Sequence, residues 1–465
     1  MVFSSGIFLF LFLPIVLILY YNPIVKNRNF KNILLFAVSI LFYAWGEHYF
    51  VLVMLLSIIV NWYLGLAAEK YRDSRNKIKG VLIAAVIYNI GMLFVFKYLT
   101  AITMNIASAF DNKNSIIKIS LPIGISFFTF QALSYVTDVY RGHGKAQKNP
   151  LNVGLYIAFF PQLIAGPIVR YETVAEEILS RRENIEDFTD GTVRFIKGLA
   201  KKIIIANNAA LLADTAFGYL GMNELTMPVA WLGAIAYTIQ IFFDFSGYSD
   251  MAIGLGKMFG FHFRENFDFP YISCSITEFW RRWHISLGTW FRDYVYIPLG
   301  GNRVGKARHI FNIFVVWTLT GIWHGANRTF LVWGLMYFVL LIAEKSTGIA
   351  KKRHPAGIVY TMFFVVLGWV IFRSNDMASA VRYLRIMFTP DFSRNNYALY
   401  LLSSYKVFLA AGIILSMPVG KIAEKLAINK TASDIVYTVW IGFIFILSVS
   451  YLAKSAYNPF IYFNF

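Results

Sequence analysis

Apolar stretches recur along almost the whole chain, near residues 6–22, 33–45, 49–67, 81–98, 119–139, 151–168, 193–217, 229–254, 310–345, 356–372, 403–419 and 434–452. A helix rising 1.5 Å per residue needs roughly 20 residues to cross a hydrocarbon layer of about 30 Å. Several stretches fall short of that, so the pattern predicts an all-α polytopic membrane protein with about eleven crossings plus re-entrant and amphipathic pieces. Composition agrees: 58% of the 465 residues are hydrophobic and 15% charged, which excludes an ordinary soluble protein. The formal charge of +18 does not point to nucleic acid, because the basic residues gather in short loops between apolar runs. Lys26, Arg28 and Lys31 mark one such loop, Lys70, Arg72, Arg75, Lys77 and Lys79 another, and 141–148, 303–309 and 345–354 three more. By the positive-inside rule these face the cytoplasm and the N-terminus lies outside. The weakly charged connection 374–400 is then expected as an outer excursion. The run Ile7–Tyr21, with no basic segment before it and no small-residue cleavage site after it, reads as a first membrane helix. The single Cys274 excludes an internal disulfide.

Chemistry is concentrated between Trp280 and Gly325. At about 100° per residue, Trp280, Trp283, Leu287, Phe291 and Tyr294 share one face of a predicted amphipathic helix over 280–294, with Arg281, Arg282, Arg292 and Asp293 opposite and His284 at the edge of the aromatic face. The apolar run from Ile310 ends in Gly321-Ile322-Trp323-His324-Gly325, which carries His324 roughly 20 Å into the hydrocarbon layer, past its midplane. An imidazole at that depth is a functional candidate; the plainer reading is a histidine that hydrogen-bonds a neighbouring helix.

Other polar residues crowd the middle of the chain: Gln131, Thr137 and Asp138, then Gln240, Asp244, Ser246, Tyr248, Ser249 and Asp250. Asp244 and Asp250 are expected to pair with arginines of the central helix or to line a pore, and stapling helices together explains them equally well. Breaks at Pro122-Ile123-Gly124, Pro161, Gly166-Pro167, Gly254 and Gly256 predict interrupted helices around a cavity. No phosphate loop, nucleophile elbow or zinc motif is present, and two histidines on different elements do not make a metal site, so none is predicted. A pore or transporter without bond chemistry stays open on these grounds.

Phe279-Trp280-Arg281-Arg282-Trp283-His284-Ile285-Ser286-Leu287, followed by Gly321-Ile322-Trp323-His324-Gly325, resembles the membrane-bound O-acyltransferases. Pro122–Gln131, Phe160–Ile168 and Phe243–Ala252 extend the likeness over most of the chain as one transmembrane domain, 1–465, with its most family-like core at 119–345. The resemblance is to the bacterial branch that O-acetylates alginate and other exported polysaccharides, and to its peptidoglycan counterpart. Asn458-Pro459-Phe460-Ile461-Tyr462-Phe463-Asn464-Phe465 favours that branch over the D-alanyl transfer to teichoic acid of a sister group. It implies membrane helices around a central tunnel, His324 as the catalytic histidine and His284 as its partner or a donor-side residue. Arg281, Arg282, Trp283, Asp244, Asp250 and Trp323 complete the expected substrate-facing set. The resemblance also implies no permanently bound cofactor, an acyl thioester such as acetyl-CoA as donor, and residence in the cytoplasmic (inner) membrane. With no extended soluble domain to hold a polymer, the chain is expected to work with an extracytoplasmic, SGNH-hydrolase-like acyltransferase, docked near 374–400 and the C-terminus.

Overall fold

A computed structural model describes residues 1–24, 26–110, 116–222, 224–351, 353–420, 430–454 and 457–461. Among the described residues every regular element is a helix. Eight helices are long and apolar enough to cross a membrane: Phe50–Lys70, Arg75–Met104, Ile185–Gly221, Met227–Met258, Arg328–Thr347, Ala356–Arg373, Asn395–Leu415 and Ser433–Lys454. Phe8–Tyr20 is apolar but shorter. The chain divides into two compact units, one comprising Met1–Phe195 and Met251–Arg264, the other Ile196–Asp250 and Glu265–Phe465.

In the first unit the Ile125–Arg141 helix is buried at every position from Ile125 to Val139. It starts where expected, at Pro122-Ile123-Gly124, with Gly124 left-handed at φ 75°. Gly65 lets it come close: a Cβ there would stand 2.4 Å from the Tyr135 ring. The break foreseen near Pro161 also appears, between Pro150–Ala158 and the single turn Phe160–Leu163. Charge is neutralised in place. Arg28 Nη1 lies 2.6 Å from Glu183 Oε1, the Tyr20 hydroxyl donates to the same oxygen, and Arg181 donates to Tyr20, Asn32 and the Phe259 carbonyl.

The degree of burial separates helices by role. The apolar window of Met227–Met258 is 83% buried and that of Ser433–Lys454 only 11%, so the former is enclosed by protein while the latter keeps an apolar surface for lipid. The helices Lys306–His324 and Arg328–Thr347 form a hairpin closed by glycines, since a Cβ on Gly334 would fall 2.5 Å from the Trp317 carbonyl oxygen. The expected outer excursion is more ordered than foreseen: Asp376 caps a helix, Met377–Phe388, that buries Ala380, Tyr383 and Met387. The last four residues of the C-terminal motif, 462–465, lie outside the described residues.

Glu183 gives the first unit a pH signature. Burial pushes its carboxyl up, but hydrogen bonds from Arg28 and Tyr20 and the nearby Arg28 and Lys31 charges outweigh that and hold it at about 2, below the ordinary 4.5. A depressed folded-state pKa contributes stability that is complete above pH 4.5 and is lost as pH falls toward 2. Glu183→Gln is therefore expected to lower the unfolding temperature in detergent at pH 7 and to converge on the parent as pH drops below the ordinary carboxylate range. An equal deficit at both ends of the titration would contradict this.

Candidate active site

The segment from Trp280 to Tyr294 is not one helix. It is built as Ile276–Arg282, a break at Trp283 and His284, then Ile285–Phe291 and a wide π turn, Arg292–Tyr296. The first helix is fixed at its start by Ser275, which accepts from the Glu278 N–H, and by the buried Glu344 carboxylate. Glu344 accepts from the Ile276 N–H at 2.6 Å, the Thr277 N–H at 2.8 Å and the Thr277 hydroxyl at 2.7 Å. A carboxylate at a helix N-terminus satisfies orphan N–H groups and opposes the helix dipole. The break is imposed by a loop alongside: the Ile285 N–H donates to the Asn266 carbonyl, the Ser286 N–H to Asn266 Oδ1, and the Asp268 N–H to the Arg282 carbonyl. Trp283 is extended and His284 left-handed, at φ 46°, ψ 52°.

That loop also settles the chemistry of His284. Asn266 Oδ1 receives the Ser286 N–H at 3.2 Å and the Ser286 hydroxyl at 2.9 Å, and stands 3.1 Å from His284 Nδ1. A backbone N–H only donates, so the amide must present its oxygen here, and His284 Nδ1 must carry the hydrogen. The lone pair is then on Nε2, which is buried and has no hydrogen-bond partner among the described residues. The ring is 3% exposed, and burial lowers its pKa to about 3, leaving it neutral.

His324 closes the Lys306–His324 helix, with Gly325 extended behind it at φ 164°. It is 5% exposed and walled by Trp333 at 5.2 Å, Phe372 at 5.0 Å and Phe330 at 6.2 Å between ring centroids. The two histidines share a neighbour: Trp323 stands 6.3 Å from the His284 ring and 4.9 Å from that of His324. Phe245 meets His284 edge-on at 4.6 Å. A neutral imidazole in an aromatic setting, as His284 is, is suited to proton transfer and hydrogen bonding rather than to ion binding.

The remaining expected residues divide. Trp283 is buried among Phe267, Phe279 and Trp369. Arg281 is exposed, whereas Arg282 is paired with Glu278 at 2.9 Å and Asp268 at 3.3 Å. Of the readings left open, stapling helices together is the one that fits Asp244 and Asp250. They pair with two successive lysines, Asp244 with Lys202 and Asp250 with Lys201, each at 2.6 Å. The reason lies in the wide π turn Lys201–Ala206, whose two lysines both reach aspartates of the Met227–Met258 helix. Elsewhere, ligand atoms of Asp138, His143 and Glu172 lie within 4.8 Å of one another. Asp138 accepts the Glu172 N–H and Arg170 pairs with Glu172, so these groups serve each other in an ion-pair network.

Sequence reasoning missed Asn266, Glu344 and Lys202. An ionisable Glu344 within an apolar helix was a usable signal, since such a group needs a partner. Asn266 gave none, being an ordinary polar residue in a loop.

The chain matches the model of the membrane-bound O-acyltransferase family over residues 146–373. It is 43% identical over 396 residues to the probable alginate O-acetylase AlgI of Pseudomonas syringae pv. tomato, covering 84% of this chain and 75% of the relative. It is 38% identical over 492 residues to that of Pseudomonas putida, covering 100% of both chains. The peptidoglycan O-acetyltransferase of Helicobacter pylori is 33% identical over 422 residues, covering 83% of this chain and 80% of the relative. The chain belongs to the membrane-bound O-acyltransferase family. It is a multi-pass membrane O-acyltransferase.

The Asn266–His284 contact makes a direct prediction. Asn266→Asp places a carboxylate against Nδ1, which favours the imidazolium and raises the His284 pKa. In protein labelled with 15N at its histidine rings, the His284 titration is expected at higher pH than in the parent. An unchanged titration would show that Asn266 does not govern this ring.

Proposed function

We propose that this enzyme takes an acetyl group from a cytoplasmic thioester, acetyl-CoA or another acyl thioester, and passes it across the membrane for O-acetylation of an extracytoplasmic polysaccharide, alginate-like or peptidoglycan. The observation that carries the reading is the pair of buried histidines that share Trp323 as a neighbour, in a chain whose relatives are named as an O-acetylase and an O-acetyltransferase. His324 takes the proton from an attacking hydroxyl, the hydroxyl oxygen bonds to the thioester carbonyl carbon, the C–S bond breaks, and the departing thiolate recovers the proton from the imidazolium. His284, with its hydrogen held on Nδ1, offers the Nε2 lone pair to the same site. The exposed Arg281 is positioned to meet donor phosphates by charge-assisted hydrogen bonds; Arg282 does so only by leaving its carboxylate partners.

The final acceptor is reached through a second protein, an SGNH-hydrolase-like acyltransferase outside the membrane, because the described residues supply no soluble domain with a polymer groove. The basic loops support an orientation with the N-terminus outside, and the enzyme works in the cytoplasmic (inner) membrane, where a cytoplasmic donor is within reach. Liposomes with labelled donor inside and polymer outside test the relay: label on the polymer is expected only when the partner is added, and acetylated polymer without it would contradict the relay.

Two variants test the site. His324→Ala is expected to lower thioester turnover by about 10²-fold or more while membrane insertion is kept; parental turnover would remove His324 from the chemistry. Arg281→Ala is expected to weaken donor binding by about 1.5–3 kcal/mol, with unchanged donor affinity returning Arg281 to an interfacial anchor.

A further inference from the structure

The described C-terminal segment, Tyr457–Ile461, is fastened at both of its ends inside the second unit. At one end the Tyr457 hydroxyl donates to Asp214, which also receives Arg373, and Arg373 reaches Gln240 Oε1 at 3.2 Å. Arg373 directly follows Phe372, one of the rings packed on His324. At the other end the Ile461 N–H donates to Asp244 Oδ2 at 2.9 Å, and the Pro459 carbonyl accepts from Lys202. The Lys202–Asp244 pair is 4% and 1% exposed. Asp244 directly precedes Phe245, the ring that meets His284 edge-on. Between the two ends, Phe460 stacks on Tyr248, one helical turn beyond Asp244, with ring centroids 4.9 Å apart.

An ion pair this deeply buried is weak evidence for stability in itself, because the desolvation of both charges offsets their attraction. What it does fix is geometry. Replacing such a pair with packed apolar residues is often neutral for stability, so its presence alongside two hydrogen bonds to the backbone of Tyr457–Ile461 calls for a different account. The same short segment secures the residue before Phe245 and the residue after Phe372, and those two rings bear on the two histidines.

We propose that Tyr457–Ile461 is a strap that positions both histidines, with Lys202 and Tyr457 as its positioning residues. Lys202 acts through Asp244 and Phe245 on His284, and Tyr457 acts through Asp214, Arg373 and Phe372 on His324. The proposal rests on the acyl-transfer role given above to the two histidines. Neither positioning residue contacts substrate; their effect is on how well the imidazoles are aligned when the hydroxyl attacks.

The test is a kinetic split in the full-length protein. Tyr457→Phe removes one hydroxyl and keeps the ring, so it leaves the core intact; Lys202→Met removes the buried cation, and Lys202→Arg restores it. The expected result is kcat lowered by about 10- to 100-fold in Tyr457→Phe and Lys202→Met, the range that a small misplacement of a catalytic group produces. Donor KM and unfolding temperature stay at the parental values in Tyr457→Phe, and Lys202→Arg recovers part of the lost kcat. Parental kcat in Tyr457→Phe and Lys202→Met, measured where His324→Ala is inactive, overturns the strap alone. A fall in kcat that merely follows a lowered unfolding temperature, with no recovery in Lys202→Arg, also overturns it. Full turnover in His324→Ala would bring down the underlying reading, and the strap with it.

Discussion

One amide oxygen holds the neighbourhood of His284 in shape. Asn266 Oδ1 gathers the Ser286 N–H, the Ser286 hydroxyl and the His284 Nδ1–H at a point where the chain would otherwise run on as a helix. Keeping a non-glycine residue left-handed, as His284 is, costs about 1–3 kcal/mol, and each hydrogen bond gathered there returns roughly 0.5–1.5 kcal/mol. The two are of the same size, so the break persists only while the loop from Glu265 to Asp268 stays in place. What the break achieves is orientation. It turns His284 toward Trp323 and away from the face an unbroken helix would have given it, and it fixes which ring nitrogen carries the hydrogen. Glu344 provides the complementary fixed point at the other end of the short helix, so the residues from Ile276 to Ser286 are held from both sides.

Burial gives these arrangements their force. Unpaired polar groups away from water are costly, and three of the charges described have dedicated partners: Lys202 with Asp244, Lys201 with Asp250, Arg28 with Glu183. None of the partners is local: the two lysine–aspartate pairs join helices and so set register as well as charge, and Arg28 reaches a residue in the connection after Tyr171–Ser180. Around the histidines the same economy takes an aromatic form, with Trp323, Trp333, Phe330 and Phe372 excluding water without supplying charge.

Much of this was legible in the sequence, and the failures share a cause. The helical class, the break at Pro122-Ile123-Gly124 and the end of the helix at His324-Gly325 follow from local rules of hydrophobic periodicity and of glycine and proline, and the structure agrees. The family also was legible, through the two histidine-bearing motifs. The helix over 280–294 was misread because Trp280, Trp283, Leu287 and Phe291 keep the 3.6-residue rhythm straight across the break. The interruption comes from Asn266 and Asp268, well upstream in sequence and recognisable only once the loop is folded alongside. Stapling helices together was among the readings open for Asp244 and Asp250, but their partners were not legible: the nearest basic residues in the candidate stretch were arginines, whereas a π turn far upstream brings in two lysines. Local structure is written locally; the contacts that orient a functional group are not.

The account holds that His284 and His324, which share Trp323 as a neighbour, act as one unit. Residues that act as a unit show losses far from additive, because once one is gone the other has little left to do. The decisive measurement is residual thioester turnover, followed with a radiolabelled acyl donor, in His284→Gln, His324→Gln and the double variant. The account predicts that the double variant is about as slow as the slower single variant. Free-energy losses that simply add would contradict it, and would assign the two histidines to separate steps.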